Sequence, residues 1–209
     1  MRHPILAYAI LFLLVLVQPA AVLHAQAPAA AQNNSDSLAG QLLVASPDMD
    51  DDRFAGAVIL MIRDDKDGAL GIIINQPVED HSLADLLDSI GEADHQGIEG
   101  KVPVYAGGPV QPGIGFIIHS ADYHEEATVG VTAGIALTST PAVLRDIGHH
   151  QGPKKFLVAF GYAGWSPGQL NHEMADRAWA VTQADPALVF DADREQLWTL
   201  AWARRGINL

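Results

Sequence analysis

The pentapeptide Gly164–Gly168, Gly-Trp-Ser-Pro-Gly, matches the G-x-S-x-G pattern that surrounds the nucleophilic serine of many hydrolases. In those enzymes the residue after the serine donates its backbone N–H to the oxyanion, but Pro167 has no N–H. The triad also needs an acid and then a histidine downstream. His172 is the last histidine, and no Asp or Glu stands between it and Ser166. The pattern therefore predicts a helix N-cap at Ser166, and we assign no catalytic residue.

Carboxylates and histidines offer a second kind of chemistry, the binding of metal ions. The acidic stretches 48–52 and 64–67 lack the alternation of a calcium loop, because Lys66 stands where a ligand is needed and no Glu follows at the twelfth position. The histidines have no cysteine partner and no H-E-x-x-H spacing. We therefore predict no metal site and no cofactor.

Three other side chains have two interpretations each. His119 ends an apolar strand, where it could bond to the backbone in the core or act as the acid–base group of a hydrolase or phosphatase-like enzyme. Tyr162 and Trp165 could stack on a ligand or fill the space between a helix and a sheet.

Two predicted helix starts supply backbone N–H groups that could recognise a ligand. The apolar run Phe156–Phe160 predicts a buried strand that ends at Gly161, and Ser166-Pro167 predicts the start of a helix that runs to about Arg177. Thr140-Pro141 predicts a second start of the same type. If both starts meet at the sheet edge, they create a site for a small polar or anionic ligand. The residues expected there are Asn75, His119, Thr138, Ser139, Tyr162, Trp165 and Gln169.

The remaining elements predict an α/β (α+β) fold: a single domain with a mixed β-sheet flanked by helices. Further helices are predicted after the N-cap Ser82 and from Asp193, the latter with Gln196 at the capping-box position. The runs 70–74 and 156–160 lack polar alternation, which predicts central strands. The runs 102–105 and 115–118 are predicted to pair around the Gly107-Gly108-Pro109 turn. Other strands are predicted at 41–45, 57–62 and 134–138, with an Asp67-Gly68 hairpin and an apolar stretch at 178–181.

The N-terminal segment of the chain indicates where the protein is located, and the net charge indicates which partners it can bind. Residues 1–25 combine a basic start with the apolar run 5–17, a pattern typical of a signal peptide or of an N-terminal anchor. Residues 26–37 are predicted to be a disordered spacer, and residues 38–209 a folded domain. Export, most simply to the periplasm, is therefore expected, with membrane contact only if the segment is uncleaved. The chain has no cysteine and a net charge of −13, which disfavours nucleic-acid binding.

Three sequence blocks resemble the YqgE/AlgH family. They are 68–77 (GALGIIINQP), 104–110 (VYAGGPV) followed by 115–119 (GFIIH), and 161–165 (GYAGW) followed by 168–170 (GQL). Their order and spacing agree from about Gly40 to Leu209. The resemblance implies a single α/β domain with a mixed sheet and no known activity, although some members are labelled transcriptional regulators. This chain departs from the family pattern at Ile114, Asn171 and Arg177, and in its apparent export signal.

These observations predict a binding module without enzymatic activity, exported or membrane-anchored, that recognises a small polar or anionic ligand or a protein partner. Two alternatives stay open, an enzyme that uses His119 and a regulatory protein.

Overall fold

The computed structural model describes residues 37–92 and 96–206, which belong to one compact unit. The predicted signal segment and nearly all of the predicted spacer lie outside the described residues. The strands are β1 Gln41–Ala45, β2 Val58–Asp65, β3 Gly68–Ile73, β4 Pro77–Ser82, β5 Lys101–Ala106, β6 Val110–Ser120, β7 Val129–Gly130, β8 Ile135–Thr138, β9 Phe156–Trp165 and β10 Trp179–Gln183. The helices are α1 Leu83–Ser89, α2 Pro141–Gly148, α3 Gln169–Ala175, α4 Pro186–Phe190 and α5 Leu197–Ala203.

The strands form a single curled sheet built around β9. Its main order is β10-β1-β2-β3-β9-β6-β8-β7, while β5 also pairs with β9 and β4 pairs with β5. Among the pairs described, only β5 with β9 is parallel, so the sheet is mixed but mostly antiparallel. The curl brings Gly134, before β8, against the Pro186 ring at the start of α4. The domain is therefore α/β, but its short helices cover only parts of the sheet.

Three hydrophobic clusters fill the fold. The first lies inside the curl, where Leu42, Leu60 and Ile118 pack with α4 and α5. The second lies on the outer face of β1, β2, β3 and the end of β9, and includes Trp165 and Trp179. The third packs α1 and α2 against β5, β6 and the start of β9.

Several predicted elements are confirmed. β1 occupies the predicted residues, and β3 and β9 are central strands. β2 and β3 form the predicted hairpin, with Lys66 and Asp67 as its two-residue turn. Ser82 caps α1, because its Oγ accepts a hydrogen bond from the Asp85 N–H at 3.0 Å. Thr140 is the N-cap residue of α2, with Pro141 next, although its side chain makes no capping hydrogen bond.

The predicted pairing of 102–105 with 115–118 is wrong. The two strands lie on opposite edges of β9: β5 runs parallel to it, and β6 runs antiparallel on the other side. The turn after β5 fits between β3 and β9, since Ile73 N–H donates to the Gly107 carbonyl at 2.8 Å and Gly107 N–H donates to the Phe160 carbonyl at 2.7 Å.

Two predicted helix starts are also wrong. Ser166 is not a cap, because β9 runs on to Trp165 and α3 begins only after Gly168, whose φ of +76° favours glycine. The last helix begins at Leu197 rather than Asp193, since the residues between them form a turn. No sequence signal predicts β4. α4 was not predicted either, although Asp185-Pro186 is a helix-start signal of the same type as Thr140-Pro141.

Gly161 divides β9 into two halves with different surroundings. Its φ is +75°, and it interrupts the alternation of the strand: Ala159 and Tyr162 both face the core inside the curl, whereas Phe160 and Ala163 face outward. A Cβ on Gly161 would lie 2.3 Å from the Gly108 carbonyl oxygen. This position therefore needs glycine for both its conformation and the close approach of the backbone.

Candidate functional site

His119 and Thr138 lie together near the Phe156 end of β9, and both are fully buried. His119 Nδ1 lies 3.0 Å from the Ser120 carbonyl oxygen, and Nε2 lies 3.0 Å from Thr138 Oγ1. Thr138 Oγ1 is in turn 2.9 Å from Thr128 Oγ1, which accepts the Glu125 N–H at 2.9 Å. Both ring nitrogens are thus occupied by protein atoms.

The carbonyl of Ser120 fixes the direction of this hydrogen-bond chain for a neutral imidazole. A carbonyl only accepts, so Nδ1 carries the proton and Nε2 accepts from the Thr138 hydroxyl. Thr138 then accepts from Thr128. The His119 ring and the hydroxyls of Thr138 and Thr128 thus each donate and accept a hydrogen bond within the protein. Because the His119 side chain has no exposed surface, a substrate has no room to reach it.

Tyr123 closes the same region from outside. Its ring packs edge-on against His119 with 5.4 Å between centroids, and its hydroxyl donates to Asp146 at 2.7 Å. Burial, and then the bond to the Asp146 carboxylate, raises the pKa of Tyr123 well above its ordinary value. Thr140 belongs to this region too, since its hydroxyl donates to Glu125 instead of capping α2.

The remaining predicted residues are spread over the fold. Asn75 bonds only to backbone: its Oδ1 accepts the Val58 N–H at 2.8 Å, and its Nδ2 donates to the Gly56 carbonyl at 2.9 Å. Ser139 is exposed beyond β8. Tyr162 packs edge-on against Phe116 inside the curl, on the opposite face of β9 from Trp165.

The predicted convergence of the two helix starts is wrong. Thr138 pairs with Ile117, which pairs with Val158, so the start of α2 lies near the first half of β9. Trp165 is seven residues further along the strand, about 23 Å at roughly 3.3 Å per residue. Only Trp165 and Gln169, of the seven predicted residues, lie together at that end.

Those two residues line a cleft of about 810 Å³ that we call the α3 cleft. One wall is the loop 46–54, and the other runs from the end of β9 through α3 to Trp179. The lining residues are Ser46, Pro47, Asp48, Met49, Asp50, Asp51, Arg53, Phe54, Pro109, Val110, Gly164, Trp165, Gln169, Glu173, Asp176, Arg177, Ala178, Trp179 and Trp202.

Glu173 organises the α3 wall. Its Oε2 accepts the indole N–H of both Trp165 and Trp179, each at 2.8 Å, and its Oε1 accepts from Gln169 Nε2 at 2.9 Å. Gln169 Oε1 accepts the Ser166 N–H at 3.1 Å. The two indoles pack edge-on at 6.0 Å and are 7% and 5% exposed. One carboxylate therefore fixes two large aromatic side chains and the first turns of α3, a fully satisfied arrangement typical of a preformed wall.

The α3 cleft carries more negative than positive charge. Five of its lining residues are acidic and two, Arg53 and Arg177, are basic. The Arg53 guanidinium binds Asp51 through two nitrogens at 2.6–3.2 Å and lies over the Phe54 ring at 5.6 Å. Its hydrogen bonds hold the pKa of Asp51 below the ordinary value.

The loop wall is fastened to the sheet by the residues that follow β3. Asn75 holds Gly56 as described above, and Gln76 Nε2 donates to the Arg53 carbonyl at 3.3 Å. At the other end of the loop, Ser46 N–H donates to the Ala178 carbonyl at 2.9 Å. Asn75, predicted as a ligand-binding residue, thus acts on the α3 cleft by positioning its wall.

Comparisons with known proteins agree with this architecture. The AlgH-like family model (DUF179) matches residues 42–209. A UPF0301 protein of Sphingopyxis alaskensis is 44% identical over 169 residues, covering 81% of this chain and 89% of the relative. One from Rhodospirillum rubrum is 39% identical, covering 87% and 94%. The solution structure of AlgH from Pseudomonas aeruginosa superposes with a TM-score of 0.69 at 34% identity, covering 85% and 93%.

The chain belongs to the AlgH-like family. A crystal structure from Corynebacterium diphtheriae, 21% identical with a TM-score of 0.61 over 76% of this chain and 82% of that one, shares the fold. In this AlgH-like chain the three sequence blocks meet around β9: β3 pairs with its end, the turn after β5 packs on Gly161, and α3 follows it.

Sequence reasoning missed Glu173, Trp179 and the loop 46–54 as parts of one surface. The spacing of Gln169 and Glu173, four residues apart on a helix, was the available signal for the pair. Within residues 37–92 and 96–206, no group of three or more His, Cys, Asp or Glu side chains is placed to hold a metal ion. Over the same residues, no helix has the length and apolarity to cross a membrane.

Proposed function

We propose that this AlgH-like protein is a binding module without its own catalysis and that the α3 cleft is its recognition surface. The observation that carries the proposal is the Glu173 carboxylate, which holds Trp165 and Trp179 in one wall of the cavity. A wall whose polar atoms are already satisfied needs no rearrangement to receive a ligand, and such preorganisation lowers the cost of binding. The volume of about 810 Å³ lies within the range of ligand pockets.

The His119 alternative has less support. An acid–base group must reach the proton that it transfers, and both nitrogens of the buried His119 ring are bonded to protein atoms. The negative charge around the α3 cleft repels a phosphate backbone, so the proposal includes no nucleic-acid partner.

The indole resonances of the tryptophans test this proposal. A charge-balanced collection of small polar molecules and short peptides is added to ¹⁵N-labelled protein, and the indole N–H signals are followed. Binding in the α3 cleft is expected to shift the signals of Trp165 and Trp179. The backbone amide signals of the buried His119 and Thr138, near the other end of β9, serve as an internal control. If every compound that binds leaves Trp165 and Trp179 unchanged, the cleft is not the recognition surface.

We also propose that the mature protein acts outside the cytoplasm, most simply in the periplasm, or remains anchored by its first segment. The basic start and the apolar run 5–17 support this proposal. Cell fractionation with N-terminal sequencing is expected to find a mature chain that begins near Gln26, or an intact chain in the membrane fraction. An intact chain in the cytoplasmic fraction would contradict it.

A further inference from the structure

We infer that the occupant of the α3 cleft is a basic protein segment that places one apolar side chain between positively charged neighbours. This inference rests on the proposed function and adds the chemical class of the partner. It differs from the small anionic ligand expected from the sequence, because that expectation depended on two helix starts that the structure separates.

Charge complementarity favours a cationic partner. Asp48 and Asp50 are exposed on the loop wall and Asp176 is exposed on the opposite wall. Within the described residues, the side chains of these three carboxylates make no hydrogen bond or ion pair. Asp51 is already neutralised by Arg53, so the open rim presents three carboxylates against the single guanidinium of Arg177. A cationic segment gains from this field, and an anionic one is repelled.

The apolar part of the lining favours an apolar anchor in that partner. Met49 and Phe54 on the loop, Val110 beside β9, and Trp202 of α5 all line the cavity and are partly buried. Apolar groups placed inside an acidic rim fit an apolar side chain with cationic flanks, the usual arrangement of a protein interface with a hydrophobic centre and a polar rim. A lone metal cation or a small amine would leave this apolar surface unused.

Arg53 shows how a basic side chain fits these surroundings. Its guanidinium is held by both oxygens of Asp51 and lies over the Phe54 ring. The carboxylate and the aromatic ring therefore already bind one guanidinium within the chain. Asp48 and Asp50, on the same loop, offer the same type of carboxylate to an arginine or lysine from a partner.

Three synthetic nonapeptides provide the test. The first has a central leucine flanked on each side by two lysines, the second has glutamates in place of the lysines, and the third keeps the lysines but has glycine in place of leucine. Fluorescence polarisation measures their affinity, and the indole signals of Trp165 and Trp179 report the place of binding. The first peptide is expected to bind at least about tenfold more tightly than either of the others.

Paired charge reversals make the test specific to the cleft. Asp48→Lys with Asp50→Lys is expected to weaken binding of the first peptide by about tenfold or more. The matched control, Glu99→Lys with Glu126→Lys, changes two exposed carboxylates outside the cleft by the same total charge and is expected to alter affinity less than about twofold.

The failures of the two proposals are distinguishable. The inference of a basic partner would be overturned if the glutamate peptide bound more tightly, or if both paired variants lost affinity equally. The cleft would remain a binding site in that case, provided that the indole signals of Trp165 and Trp179 still shift. If the collection of compounds described above also leaves those signals unchanged, the proposed function itself fails.

Discussion

At the Phe156 end of β9, His119 and Thr138 are fully buried and bonded only to protein atoms, whereas at the Trp165 end a carboxylate holds two indoles in the wall of an open cleft. Both ends use polar side chains in complete hydrogen-bond networks. At the first end the network replaces solvent and stabilises the core. At the second it fixes aromatic rings, while the side chains of Asp48, Asp50 and Asp176 on the rim have no partner among the described residues.

The difference shows that a polar residue within a family block does not by itself indicate a site. His119 and Asn75 belong to such blocks, yet one fills the core and the other fastens a loop. What distinguishes the α3 cleft is the combination of a cavity, a satisfied wall and carboxylates without partners in the described structure. Variants of β9 and of residues at each end test this difference.

Gly161→Ala is expected to have the largest effect because this residue joins the two ends. The new Cβ meets the Gly108 carbonyl oxygen at 2.3 Å, at a φ of +75°, and together these should cost about 4 kcal/mol or abolish folding. Gly168→Ala is the matched control: its φ is +76°, but nothing lies within 4 Å, so it should cost only about 1 kcal/mol. Urea unfolding measures both, and similar losses would show that the close approach is unimportant.

His119→Ala tests whether the first end is structural. It removes a fully buried ring and leaves the Thr138 hydroxyl without its acceptor, which should lower the free energy of unfolding by about 3 kcal/mol. The exposed His124→Ala serves as control and should change it by less than about 0.5 kcal/mol. Variant protein that remains folded should still bind the basic peptide, and loss of that binding at unchanged stability would reassign His119 to the site.

Glu173→Gln should have a smaller effect on stability and a local effect on the cleft. The amide offers one acceptor oxygen where the carboxylate receives three N–H donors, so about 1–2 kcal/mol should be lost and the indole signals of Trp165 and Trp179 should move. Glu126→Gln, an exposed control, should change neither quantity. Unmoved indole signals in the Glu173 variant would contradict its role in holding the wall.

Local signals in the sequence predict much of the fold. β1, the hairpin of β2 and β3, and the Ser82 cap of α1 follow from apolar runs, a turn dipeptide and a capping residue, all of which act between neighbours in the chain. β4 could not be predicted in this way, since Pro77–Ser82 is a mostly exposed edge strand without an apolar face. The glycine at 161 suggests a strand end, but the structure uses it inside β9.

The candidate site is harder to predict because its parts are distant in sequence. Trp165 and Gln169 are candidates on local signals alone, but the pairing of Trp165 with Trp179 depends on Glu173 and on the packing of α3. The acidic residues 48–52 are typical of a solvated turn, and only the fold places them opposite α3. The predicted placement of Tyr162 beside Trp165 is wrong, because β9 runs on to Trp165 and residues three apart on a strand lie on opposite faces.

A titration of ¹⁵N-labelled protein with the leucine-centred lysine peptide, observed at both ends of β9 at once, tests most directly whether the α3 cleft is the recognition surface. The indole signals of Trp165 and Trp179 are expected to shift in a saturable manner while the backbone amide signals of His119 and Thr138 stay in place. Saturable shifts at His119 and Thr138, with unchanged indoles, would contradict this assignment.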